Sequence, residues 1–210
     1  MCCRETRDEN KLIMKTLVRL LEILLKVVAV TLALATCWPF ILLGFFADIL
    51  GRYAEVSLLI SKIPFFVGEY IRLYYYKCTL EGVGRSVVFK YGSFCQYRKA
   101  YIGNRVLIGY YSVLGEITTG DDILIGGFVN FLSGTKQHSF SDPGVPINLQ
   151  KAVGRQRIHI GSNIWIGSNS VIAADVRDHC IIGAGSVLLK PAESKSVYSG
   201  NPAQRIKQIN

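Results

Sequence analysis

The sequence predicts a mainly β protein: a three-sided parallel β-helix behind a helical N-terminal region that seeks a membrane. Three observations predict it. The chain changes character near residue 80, an apolar run of 24 residues (27–50) lies in the first part, and an aliphatic residue followed by glycine recurs every six positions through the second. With 210 residues, half of them apolar, and a mean hydropathy of +0.30, the chain is too apolar for disorder and too short for two full-sized cores. Twenty glycines against six prolines point to many tight turns.

The first element is amphipathic. Lys11, Lys15, Arg19, Glu22 and Lys26 follow one another at spacings of 4, 4, 3 and 4, which places them in one narrow arc of a helix over 11–26. The rest of that surface is Leu, Ile, Val and Met, the make-up of a helix lying in a membrane interface. Residues 27–50 follow, with Asp48 as the one ionisable group, long enough to enter a bilayer and too late in the chain for a signal peptide. Pro39 removes a helical hydrogen bond at its middle, and the expectation is a re-entrant hairpin bent there, with a second span over 54–75 as the alternative. Residues 52–77 read as a second amphipathic stretch with Arg52, Glu55, Lys62, Glu69 and Arg72 on one side, and Tyr74, Tyr75 and Tyr76 suit the headgroup level. Residues 1–80 are thus a membrane-docking region, with lipid as its partner.

The second part, 81–210, carries the repeat. Ile102–Gly103, Ile108–Gly109, Leu114–Gly115, Ile125–Gly126, Ile160–Gly161, Ile166–Gly167 and Ile182–Gly183 mark it, and Val106, Ser112, Thr118, Val129, Ile164, Ser170 and Ser186 stand four places after an aliphatic. In a three-sided β-helix each hexad makes a short strand and a corner: the aliphatic points inward, glycine permits the corner's backbone, and the small residue stacks beside it. Coils bury one another's open faces, so they form one continuous core. Between Phe131 and Ile158 the rhythm stops. A long excursion from a regular solenoid is usually functional, and loop 132–157 has His138 near its start with Asp142, Pro143 and Pro146 after it.

Charge and cysteines narrow the partners. The net charge of +9 divides as +3 over residues 1–80 and +6 over 81–210, with no basic run of five, so nucleic acid is not an expected partner, and phosphates or anionic lipid are. The six cysteines show no C-x-x-C pair and no zinc spacing, and they read as reduced thiols; Cys2 and Cys3 beside the basic helix are candidates for acylation. The three histidines lie 21 and 20 residues apart and His159 alternates with inward isoleucines, so no metal is expected.

The repeat together with TKQHSFSDPGVPI (135–147), IHIGSNIWIGSNSVI (158–172), IIGAGSVLLKP (181–191) and GNPAQRIKQI (200–209) resembles the hexapeptide-repeat acyltransferases, in particular the maltose, galactoside and xenobiotic O-acetyltransferases. The resemblance implies a left-handed β-helix, a homotrimer, and acetyl-CoA bound between neighbouring prisms. It implies that His138 is the general base, that Ser168 and Ala184 line the pantetheine groove, and that Lys190, Arg205 and Lys207 meet the CoA phosphates. Trp165 is implied to pack near the base, and Asp142 to support the substrate loop. The chain departs from the family pattern at Gln204, where a basic residue is common, and near Ser112, where an Asn is. Joined to a membrane-docking region, this activity is expected to be acetyl transfer to a hydroxyl of a lipid-linked sugar or surface polysaccharide precursor, and cytosolic acetyl-CoA places the domain on the cytoplasmic face of the inner membrane. Amino-sugar N-acetylation and a non-catalytic trimeric scaffold are the alternatives.

Overall fold

The computed structural model describes residues 2–134 and 139–209, with residues 2–13 described by their backbone alone. Three helices open the chain: α1 (Cys2–Ile49), α2 (Tyr53–Ser61) and α3 (Phe65–Thr79). Short strands then wind into a parallel β-helix of three faces. The first face holds Gly82–Val83, Ala100–Ile102, Ile117–Thr119 and Ile158–Ile160. The second runs from Val88–Phe89 through Val106–Ile108, Ile123–Ile125, Ile164–Ile166 and Ile181–Ile182 to Ser196–Gly200, where Ala203–Gln208 closes it as an antiparallel hairpin. The third holds Phe94–Cys95, Val113–Leu114, Asn130–Phe131, Val171–Ile172 and Val187–Leu188.

The repeat aliphatics fill the prism: Ile102, Ile108, Leu114, Ile125, Phe131, Ile160, Ile166, Ile172, Ile182 and Leu188 are all buried. The small partners Ser112, Ser170 and Ser186 are buried too, and the Ser170 hydroxyl donates to the Gly167 carbonyl at the corner it stacks beside. One member of the pattern is out of phase. Thr118 is half-exposed, and Ile117 and Thr119 point inward instead. The cause is coil length: Leu107 pairs with Leu124, only 17 residues on, so a coil one residue short of three hexads shifts the phase at the Gly115–Glu116 corner.

The corner glycines also act differently from the expectation. Their φ is not left-handed; glycine is required because a Cβ on Gly109 would run into the Gly126 carbonyl, and one on Gly167 into the backbone of Ala184. The left-handed residue stands two places later, at Arg105, Tyr111, Asp122, Phe128, Asn163 and Asn169, all with φ of 53–60°. These residues stack coil upon coil through backbone bonds such as Phe128 N–H to the Tyr110 carbonyl and Asn169 N–H to the Gly127 carbonyl.

The N-terminal region corrects four expectations. α1 is one continuous helix through Pro39, so the hairpin is not formed: loss of one N–H interrupts the ladder once, and the apolar helix formers on either side carry the helix on. The stretch 52–77 is two helices, because Pro64 disfavours helical backbone at Ile63 and starts α3 afresh. Tyr75 and Tyr76 are not at a lipid headgroup level but fully buried at the end of the prism. The Tyr76 hydroxyl accepts from the Cys95 N–H at 3.2 Å and shares a hydrogen bond with the Ser57 hydroxyl at 2.7 Å, and its ring packs 4.5 Å from that of Phe89. Arg72, grouped in sequence with outward charges, is also fully buried; it donates to the carbonyls of Phe89 (2.9 Å), Ile63 (2.8 Å) and Ser61 (3.3 Å). α2 and α3 therefore cap the open apolar end of the first coil, which a bilayer would otherwise have to cover.

Candidate active site

The long loop leaves the corner between the third and first faces, and the coil that holds it takes 41 residues from Leu124 to its partner Trp165. His138, the candidate base, lies outside the described residues. What is described is the loop's anchorage. The Gln156 N–H donates to the Ser133 carbonyl at 2.9 Å, which closes the loop's neck. The Ser133 hydroxyl accepts from the Glu116 N–H, and the Glu116 carboxylate, buried in the corner, holds Arg155 at 2.8 Å. The Arg155 guanidinium lies 4.2 Å from the Tyr97 ring centre, and Arg157 bonds Glu81 at 2.7 Å, which draws the Glu81 carboxyl below its ordinary range. These pairs border a polar cleft of about 330 Å³ reached by Asp48, Arg98 and Lys99. Sequence reasoning missed Glu116, Tyr97 and Arg155; a carboxylate in a corner slot normally given to a small residue was the signal.

Asp142 is exposed and works inside the loop. Its Oδ1 accepts from the Gly144 N–H at 2.8 Å, and the Gln150 side chain ties its carbonyl to that of Val145, both at 2.8 Å. The chain turns here because Asp before Pro-Gly forms an Asx turn. Phe140, Ile147, Leu149 and Val153 are exposed on the same loop, an apolar surface that one chain leaves open.

Ser168 and Ala184 sit on the corner between the second and third faces, on successive coils, joined by the bond from the Gly185 N–H to the Ser168 carbonyl. The Ser168 hydroxyl accepts from the Gly127 N–H at 3.2 Å and Ala184 is exposed, so small residues keep this corner open to a chain-like ligand. Towards the capped end the same corner changes to aromatics: Phe128 stacks on Tyr111 at 5.1 Å, Tyr111 meets Tyr91 edge-on, and Lys62 stands 5.0 Å over Tyr111. Lys190 and Arg205 border one cleft of about 430 Å³ beside Gln204, with Arg205 held by Glu193 at 2.9 Å. The structure does not bring Lys207 to them; it is exposed on the closing hairpin opposite Val197.

Trp165 is exposed on the second face between Leu124 and Ile181. That face lies across the prism from the corner that bears the loop, so a single chain keeps Trp165 and the loop apart. His159 points outward, as its alternation predicts, and its N–H donates to Asp175. His179 occupies a left-handed corner beside Asn163 at 2.8 Å. Among the described residues no cluster of three His, Cys, Asp or Glu side chains is assembled.

Comparison with known proteins finds the same repeat and the same fold. Residues 157–190 match the family model of the hexapeptide repeat of succinyl-transferase. A probable macrolide acetyltransferase of Lysinibacillus sphaericus is 29% identical over 120 residues, 54% of this chain and 65% of that protein. The galactoside O-acetyltransferase of Escherichia coli K12 is 30% identical over 132 residues, 59% of each. The chain thus spans less than two thirds of the length of either relative. Among solved structures, the hexapeptide-repeat acetyltransferase of Vibrio cholerae complexed with acetyl-CoA superposes with a TM-score of 0.65 at 20% identity, over 78% of this chain and 88% of that one, which is a likeness of fold. Through its β-helix, built on this repeat and shared with these relatives, the chain is similar to the hexapeptide-repeat acyltransferases.

Proposed function

We propose that the protein is a membrane-associated acetyltransferase that moves the acetyl group of acetyl-CoA to a hydroxyl of a lipid-linked sugar or surface polysaccharide precursor. The observation that carries the reading is the loop. A regular solenoid is interrupted once, the interruption holds His138, and its neck is fastened by Ser133–Gln156 and Glu116–Arg155. Relatives that share the repeat include a probable macrolide acetyltransferase and a galactoside O-acetyltransferase. The open corner of Ser168 and Ala184 suits the pantetheine arm, and the cationic cleft of Lys190 and Arg205 suits the CoA phosphates. His138 takes the acceptor hydroxyl proton as the new C–O bond forms, and delivers it to sulfur as the C–S bond breaks. A backbone N–H of a neighbouring coil stabilises the oxyanion.

A homotrimer is part of the proposal. The loop corner and the Trp165 face of one chain point apart, so a site using both is made between chains, and the apolar loop side chains Phe140, Ile147 and Leu149 gain cover there. The membrane enters through α1, where Met14–Ile49 is long and apolar enough to engage lipid. An enzyme placed there has its acceptor there, with the prism on the cytoplasmic face where acetyl-CoA is found.

The test uses radiolabelled acetyl-CoA, the full chain in detergent and a lipid extract of the source membranes. Label is expected in the organic phase, released by mild alkali as an ester, and absent with His138→Ala. Alkali-stable label would make the acceptor an amine, and label found only in water-soluble products would overturn the lipid-linked acceptor.

A further inference from the structure

We propose that α1 lies in the plane of the membrane surface, across the end of the prism, and does not cross the bilayer. The proposal rests on the membrane association read above and gives it a geometry. The second half of α1 is packed on the cap. Glu22, Leu25 and Lys26 border a cavity with Phe66 of α3 and with Val87 and Val88 of the first coil. Further on, Cys37 Sγ meets the Ile71 carbonyl at 3.7 Å, and Gly44 lies so close to Tyr75 that a Cβ there would fall 2.5 Å from its hydroxyl. At the end, Asp48 pairs with Arg98 at 3.0 Å, and the Arg98 guanidinium covers the Phe45 ring at 4.4 Å. Val87, Val88 and Arg98 all belong to the first coil. A helix segment of roughly 39 Å, from residue 22 to residue 48 at 1.5 Å per residue, therefore runs across the cap, with one end beside Val87 and Val88 of the first coil and the other paired to Arg98 of the same coil of a water-facing prism. A span would need that coil at both surfaces of the bilayer.

The pattern of side chains around the helix agrees. At 100° per residue, Lys15, Arg19, Glu22 and Lys26 fall in the same arc of about 80° as the docked Ala29, Ala33, Cys37 and Gly44. One side of α1 is charged where it runs free and small where it meets α3. The opposite side is Leu17, Leu24, Val28, Trp38, Leu42 and Phe46, each between 47% and 66% exposed. The occupant of that face is lipid: it is continuous and apolar over the helix, while the charges of the free first half stand on the opposite side and stay in water, the make-up of a helix lying in an interface.

Trp38 and Trp165 are the two tryptophans, so Trp165→Phe leaves Trp38 as the sole indole reporter. The full-length variant, reconstituted into vesicles of phosphatidylethanolamine with phosphatidylglycerol, is quenched with lipids brominated near the glycerol end or near the methyl end of the chain. In-plane α1 holds Trp38 at shallow depth, and the shallow bromine is expected to quench at least about twofold more than the deep one. A span over 27–50 would put Trp38 at the bilayer centre and reverse that order, which overturns the proposal while leaving membrane association intact. Protein that fails to float with the vesicles, with neither bromine quenching, would overturn the membrane reading itself.

Discussion

Arg72 ties three pieces of chain together, since its guanidinium donates to carbonyls at the end of α2, in the turn before α3 and in the first coil. Burial lowers its pKa from the ordinary arginine value, and it remains a cation at neutral pH. Arg72→Met would leave those carbonyls without their donor and is expected to cost about 3 kcal/mol in denaturant unfolding, with Arg72→Lys recovering part. A loss below about 1 kcal/mol would mean that water replaces the guanidinium. Backbone strain gives a prediction of opposite sign. Lys195 is exposed at φ 54°, in the corner stack with His179 and Asn163, and Lys195→Gly is expected to stabilise by about 1 kcal/mol, read as a higher Tm. At this scale the inward aliphatics were legible in the sequence, because each hexad reports contacts with the same hexad of the next coil. Arg72, Tyr75 and Tyr76 were not. An apolar helix with scattered charges looks the same whether its cover is lipid or the end of a prism.

Among the elements, the first corner of the prism carries a carboxylate ladder with a pH signature. Asp121 accepts from the Asn104 N–H at 2.7 Å and Asp122 from Arg105 at 2.7 Å, and both are drawn below the ordinary aspartate range by these bonds. A carboxyl whose folded pKa is depressed adds stability above its unfolded pKa, about 3.9, and loses it as pH falls through the folded value. Tm is therefore expected to fall more steeply below about pH 4 than above it, and Asp121→Asn should flatten that slope; an unchanged slope would remove Asp121 from the account. α1 offers a packing test. Gly44→Leu forces a side chain into Tyr75 and is expected to lift α1 from the cap, seen as faster proteolysis between α1 and α2 with the prism left intact. The sequence showed that α1 was long, apolar and striped. It did not show that the stripe continues into Ala29, Ala33 and Cys37 as a docking seam, because small residues look apolar until a partner helix lies against them. The two-helix cap was legible only at Pro64, and the slipped phase at Thr118 only from coil length.

At the scale of the whole molecule, the parts assigned to one reaction are dispersed over a single chain. The loop leaves one corner, the Ser168–Ala184 groove follows another, and Trp165 stands on the face opposite the loop. The repeat made the prism legible and the motifs named the residues, yet the meeting of those residues is proposed to take several chains. A trimer of about threefold the chain mass is expected by light scattering in detergent, and Trp165→Arg, which places a charge in the proposed interface, should lower activity and assembly together. Lys190→Ala is expected to raise KM for acetyl-CoA several-fold with kcat little changed, as loss of a phosphate contact should. The central claim is that His138 performs acyl transfer from bound acetyl-CoA. The most direct measurement titrates acetyl-CoA into the full chain and into His138→Ala by calorimetry, then follows turnover of both with the same membrane extract. The account predicts matching affinities and a loss of turnover of at least about 100-fold in the variant. Equal turnover in the two proteins, or no binding of acetyl-CoA by either, would contradict it.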